Sequence, residues 1–239
     1  MTLARRDWVG LAVAFGVAAG CVRLGFWQLQ RLGERRARNA AVRAARRLPP
    51  LEVTAGLTAA VARDRRLHAR GVYDYAHERF WRGRSYEGVP GVDLVTPLRL
   101  ADGAAVLVDR GWVPSPDGFH VEAEAYREGE RAEVWGLGVV APRAPGDVDP
   151  AALADSLPYP LLPFVLQQLP ADTPGAGGAG GAAPRVYRWP APELSDGPHL
   201  SYAIQWFSFA VIIAVGSVAL VRKRAQERAA ARGTETPAR

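Results

Sequence analysis

The chain has 239 residues, 30 Lys or Arg against 24 Asp or Glu, a net charge of +6 and a single cysteine, Cys21. One cysteine excludes an internal disulfide and any metal site built from several thiolates. The basic balance does not argue for nucleic acid, because much of the positive charge flanks two long apolar segments, where it reads as membrane topology or headgroup contact. What remains after subtracting those segments is one domain of ordinary size, large enough for a real core.

Residues 1–7 form a short basic N-terminus with Arg5 and Arg6. Trp8 to Val22 is uncharged, Arg23 interrupts, and Leu24 to Leu29 resumes the apolar pattern. A membrane span over 8–29 fits a helix crossing roughly 30 Å of hydrocarbon. Ala18-Ala19-Gly20-Cys21 is superficially like a lipoprotein processing site, but the apolar run continues past Cys21 rather than ending there. Gly16 and Gly20 make a G-x-x-x-G, a pattern that lets helices approach closely and that also arises by chance in Ala/Gly-rich helices. Residues 30–50 read as a helical extension, rich in Ala and Arg from Arg31 to Arg47 and stopped by Pro49-Pro50.

From 51 to 198 the pattern changes to short strands punctuated by Gly and Pro. Candidate strands are Leu67–Tyr75, Arg79–Tyr86, Asp93–Leu100, Ala104–Val113, Glu133–Val140, Phe164–Leu169 and Val186–Trp189; Val121–Arg127 reads as helix. Asp102-Gly103 is a hairpin signal between the third and fourth strands. The expected domain is a β-rich antiparallel sheet or small barrel, with a Gly/Ala-rich loop at 170–184. The expected fold class is therefore an α+β membrane protein with one transmembrane helix at each end.

The second span is 199–221, uncharged from Leu200 onward, and 222–239 is a basic tail carrying Arg222, Lys223, Arg224, Arg228 and Arg232. That tail argues for a cytoplasmic C-terminus, and with two spans the N-terminus is cytoplasmic too. The arginines after the first span conflict with this, but the positive-inside rule is weakest for long translocated domains. The domain at 51–198 is therefore expected to be periplasmic.

No pair of the four histidines has the H-x-x-x-H or H-E-x-x-H spacing, and no G-x-S-x-G elbow, P-loop or dinucleotide fingerprint is present. Asp109-Arg110-Gly111-Trp112 has two readings: a catalytic carboxylate with a positioning arginine, or a strand end with Gly111 at a turn or bulge and Trp112 in the core. His199 stands out among the histidines. It opens the second span, and Tyr202 and Trp206 follow on one helical face at i+3 and i+7. An imidazole there suits an iron porphyrin lying against apolar aromatics, or it is simply polar at an interface among belt residues. Gln28 and Arg31 are three apart on the first helix; Gln28 can bond the second helix, and Arg31 can pair with a headgroup phosphate or a haem propionate.

Three patches resemble the Surfeit locus protein 1 (SURF1) family. They are Leu24-Gly25-Phe26-Trp27-Gln28-Leu29-Gln30-Arg31, the central run through Gly71-Val72-Tyr73-Asp74, Gly91 to Leu98 and Val106 to Pro114, and His199-Leu200-Ser201-Tyr202-Ala203-Ile204-Gln205-Trp206-Phe207. Pro142 to Pro184 carries no motif that aligns. The resemblance implies an assembly factor for haem–copper cytochrome c oxidase in a bacterial inner membrane, binding haem a transiently and assisting its insertion into subunit I. It implies subunit I, other oxidase assembly factors and the lipid bilayer as partners, and no enzymatic reaction. His199 is then the candidate ligand of the haem iron, with Tyr202, Trp206, Gln28, Arg31, Arg110 and Trp112 as candidate haem contacts. The competing expectations are a cofactor-free scaffold that stabilises an oxidase intermediate by helix packing, a tethered periplasmic enzyme, and copper delivery. The last two lack a catalytic constellation and a second cysteine.

Overall fold

The computed structural model describes residues 4–140, 148–170 and 186–234; the Gly/Ala-rich loop expected at 170–184 lies, beyond Pro170, outside them. The chain divides into a helical unit, Met1–Ala40 with Leu194–Arg239, and a sheet unit, Ala41–Glu193.

The helical unit is built on two helices. Helix α1, Arg5–Arg47, runs unbroken for 43 residues through the expected span and its extension. Pro49 and Pro50 lie just past its end, where their missing amides cannot continue the ladder. The second long helix, His199–Thr234, begins at the expected histidine and continues well past 221. Each contains a stretch long and apolar enough to cross a membrane. The residues that α1 buries, Asp7, Ala18, Cys21, Gly25, Gln28, Leu32 and Asn39, fall on one face at helical spacing. Ala18 and Cys21 pack against Ala210, with Trp206 and Ile213 at the edge of the cluster. Gly25 lets the Phe207 ring close on the backbone: a Cβ there would lie 2.6 Å from the ring.

The sheet unit holds β1 (Leu51–Glu52), α2 (Ala59–Ala62), β2 (Arg66–Tyr73), β3 (Arg79–Tyr86), β4 (Val89–Leu100), β5 (Ala105–Pro114), β6 (Arg131–Val139), α3 (Pro150–Leu153) and β7 (Leu161–Gln168); the helix at His199–Thr234 is α4. The strand order is β1-β2-β6-β7-β5-β4-β3, and β2 also pairs with β4 over three residue pairs. The hydrogen-bonded neighbours β2, β6, β7, β5 and β4 thus run in a cycle. The sheet is mixed rather than antiparallel as expected: β5 pairs with β7, and β1 with β2, in parallel. Parallel pairing needs a crossover, and β6 together with α3 supplies it between β5 and β7.

Strand β5 is buried from Ala105 to Val113, and its first four residues, Ala105 to Val108, are apolar without alternation, as a strand covered on both faces requires. Leu67, Leu98, Val106, Val108, Phe164 and Leu166 form the main core, and Val95, Leu107 and Val165 pack on the other side against Val148 and Leu153. The hairpin at Asp102-Gly103 forms between β4 and β5, with Gly103 at φ +89. Two expectations are corrected. Val121–Arg127 gives only a short 3-10 turn, Ala123–Tyr126, and Val186–Trp189 gives a single bridge, Trp112 with Tyr187, because its backbone pairs with a strand only at the bulged end of β5 and its other contacts are through side chains.

Candidate functional site

In the helical unit the site is built around His199. Its Nδ1 lies 2.9 Å from Oε1 of Gln28, which is buried on α1. An amide oxygen only accepts, so Nδ1 carries a proton, and in the neutral ring Nε2 then holds the lone pair. No hydrogen bond reaches Nε2 among the described residues. Gly197, at φ +71, leaves the space beside that nitrogen clear.

The segment leading into His199 is pinned by the extension of α1. Asn39, buried on α1, donates to the Ser195 carbonyl at 3.0 Å. Arg36 pairs with Asp196 at 2.9 Å, and Arg35 donates to the same Ser195 carbonyl at 3.1 Å. The long helical extension therefore fixes where the histidine starts its helix. Tyr202 is 46% exposed and open to a ligand. Trp206 is half-buried, packed on the Ala18–Cys21–Ala210 cluster and edge-on to Phe209 at 5.9 Å. Arg31 bonds Glu34 at 2.9 Å and sits 5.6 Å from the Trp27 ring, with its side chain still half exposed.

Arg110 and Trp112 belong to the sheet unit and are engaged there. The register between β4 and β5 slips so that Leu94 faces Gly111 and Val95 faces Asp109. Arg110 is the inserted residue of that bulge, and its guanidinium is turned into the core. It pairs with Glu78 at 2.9 Å and Glu128 at 3.2 Å and donates to the Tyr126 carbonyl. Glu78 also accepts from Thr96 at 2.5 Å, and Glu128 from Arg188 at 2.6 Å. Trp112 exchanges two backbone hydrogen bonds with Tyr187, each 2.8 Å. This arrangement matches the bulge-and-core reading of Asp109-Arg110-Gly111-Trp112.

Two polar clusters in the sheet unit were not read from the sequence. Asp109 is buried, accepts from the Gly111 amide at 3.0 Å, and lines a cavity of about 580 Å³ with Trp81, Arg84, Gln167 and Trp189. Burial, reinforced by the nearby Asp93 carboxylate, pushes its pKa up to about 8. Asp93 accepts from the Trp189 indole at 2.8 Å and pairs with Arg84 at 2.8 Å, and burial raises its pKa as well. His68 lies stacked on Trp135, ring centroids 4.0 Å apart, with Nδ1 2.6 Å from Glu52 and Nε2 2.8 Å from Glu133. It fastens the two-residue β1 to β2 and β6. The side-chain partners come from different strands or segments, from 9 residues apart for Arg84 and Asp93 to 96 for Asp93 and Trp189, so folding brings them together. The one local signal was the aspartate inside each of two apolar runs, at 93 and 109.

Comparison with known proteins gives a consistent result. The SURF1 family model matches residues 15–211, from within the first long helix to within the second. The chain is similar to a SURF1-like protein of Mycobacterium bovis and to SURF1-like proteins of two Mycobacterium tuberculosis strains, all described as uncharacterized. Each is 28% identical over 266 residues, covering 98% of this chain and 92% of the relative.

Proposed function

This chain belongs to the SURF1 family, known generally as oxidase assembly factors, and from that premise we propose that it receives haem a at His199 and passes it to subunit I of a haem–copper cytochrome c oxidase. The observation that carries this reading is the 2.9 Å contact between His199 Nδ1 and Gln28, which turns Nε2 away from the only side chain bonded to the ring among the described residues. A neutral imidazole oriented through its other nitrogen is the usual form of a histidine metal ligand. Haem, if bound, would be held through His199 and would supply an iron centre able to bind an imidazole nitrogen. The protein supplies the orienting amide from Gln28, the open Tyr202 and half-buried Trp206 as apolar surface, and Arg31 as a cation for a propionate. A single histidine ligand suits a carrier, since cargo must leave. Arg110 and Trp112 serve the sheet and are left out of the haem contact.

In this reading both termini are cytoplasmic, the sheet unit is periplasmic, and the cycle of strands acts as a small barrel joined in sequence to a span on either side. Carriage needs no reaction of its own, and the other partners are oxidase assembly factors and lipid. The test is the visible spectrum of detergent-purified protein from cells making haem a. Wild type should show a Soret band that His199→Ala loses and Gln28→Leu weakens and shifts. Haem retained unchanged in His199→Ala refutes the ligand assignment. A wild type that holds no haem but co-purifies with subunit I favours the scaffold reading instead.

A further inference from the structure

We infer that the face of α1 turned away from α4 docks a transmembrane helix of another protein, one that carries an acidic side chain opposite Arg23. The inference rests on the reading of residues 8–29 as a membrane span, and not on haem. Arg23 is the only charged residue between Trp8 and Gln30. It is exposed and has no partner among the described residues.

Its position on the helix is the informative point. The side that α1 packs on α4 contains Ala18, Cys21, Gly25 and Gln28. At about 100° per residue, Gly16, Gly20, Arg23 and Trp27 share a face on the opposite side. All four are exposed, and nothing lies within 4 Å of a Cβ built at Gly16 or Gly20. Two glycines one turn apart make a shallow groove where a second backbone can come close. Immediately beyond the groove stands a charge that hydrocarbon does not solvate.

Three occupants can be compared. Lipid phosphate at the nearer boundary is six residues away, about 9 Å along the axis. Side chains on a helix lean toward its N-terminus, so Arg23 leans away from that boundary and into the span. A second copy in the same orientation would set Arg23 against Arg23. The chain's own nearby acids are committed, Asp7 to Arg228 and Glu34 to Arg31. A foreign helix bearing a carboxylate satisfies both the groove and the charge.

The full-length protein, carrying a donor fluorophore on an N-terminal tag, is reconstituted in phosphatidylcholine vesicles. The probes are acceptor-labelled Leu/Ala transmembrane peptides with one Glu, or Leu in its place, at the depth of Arg23. Energy transfer to the Glu peptide should be about tenfold tighter than to the Leu peptide. Arg23→Leu should abolish that preference and Arg23→Lys should keep it. Gly20→Leu, which touches nothing on α4, should weaken Glu-peptide association several-fold at unchanged helical content. Equal association of the two peptides, or a preference that survives Arg23→Leu, overturns the inference. Association that follows added phosphatidylglycerol rather than the peptide's carboxyl also overturns it and assigns Arg23 to lipid phosphate. No oxidase or haem enters the assay, so its failure leaves the haem reading standing, and the reverse holds too.

Discussion

Replacing Asp109 with asparagine should flatten the pH dependence of the sheet unit's stability. The carboxyl is 4% exposed and its pKa rises from 3.8 to about 8, through burial first and the Asp93 charge second. A carboxyl whose folded pKa lies above its unfolded one favours the fold in its protonated form. That contribution is complete below about pH 4 and is lost as pH rises toward 8. One group in this window changes stability by about 1.4 kcal/mol per pH unit. Between pH 6 and 8 the wild type should therefore lose roughly 2 kcal/mol relative to Asp109→Asn. Asparagine keeps the acceptor for the Gly111 amide. The carboxylates with lowered pKa, Asp74, Asp117 and Glu133, act in acid, below this window. The assay is the thermal midpoint of the full chain in detergent, followed by tryptophan fluorescence. Roughly 2 kcal/mol corresponds to about 4–8 °C for a domain of this size. Parallel curves for wild type and Asp109→Asn between pH 6 and 8 would refute the argument, because the carboxyl would then be ionised throughout.

Two further substitutions test close approaches. Gly111→Ala meets both a φ of +118 and a Cβ only 2.3 Å from the Tyr187 carbonyl, so the bridge between Trp112 and Tyr187 must open; a loss of about 2–4 kcal/mol in urea titrations is expected. Gly25→Ala puts a methyl 2.6 Å from the Phe207 ring and should cost about 1–3 kcal/mol of helix-pair stability in detergent, while Phe207→Leu in the same chain should recover part of it; a fully additive double variant would argue against direct contact.

Local patterns were enough to find most elements. The two long helices, the stop at Pro49-Pro50, the β4–β5 hairpin and the bulge at Gly111 each have a signal within a few residues. What the chain concealed depends on register. Parallel pairing of β5 with β7 leaves no local trace, since a strand buried on both faces looks alike in either direction. Val121–Arg127 carries helical composition, but in the structure it caps Val92, Leu94 and Val113 as a single turn, and packing set the outcome. At the site, His199 and Gln28 were each legible as polar residues at a span's edge. A bond from Gln28 to the second helix was a possibility in the sequence, but His199 as its partner was not marked, and Asn39 gave no sign at all, being one amide inside an Ala/Arg helix.

The helical unit also carries a measure of its own span. Its middle is apolar, with Ala18 and Cys21 on Ala210 and Gly25 under Phe207. Polar contacts between the helices begin at Gln28 with His199, and again at Asp7 with Arg228, 2.6 Å apart. On α1 those two clasps are separated by 21 residues, about 32 Å of helix, against roughly 30 Å for a hydrocarbon core. Helices that pack in lipid gain little from apolar burial and rely on close contact and on polar groups where water returns. Under the proposed topology, the clasp of Gln28 with His199 would lie where the apolar stretch of α1 ends. Haem is divided in a similar way, a flat apolar ring with propionates at one edge. Lengthening α1 by one turn between Cys21 and Gln28 would keep Gln28 on the same face but carry it about 5 Å along the axis, out of hydrogen-bond reach of His199. If the Soret band survived such an insertion, the orienting role of Gln28 would be lost, even with His199 intact.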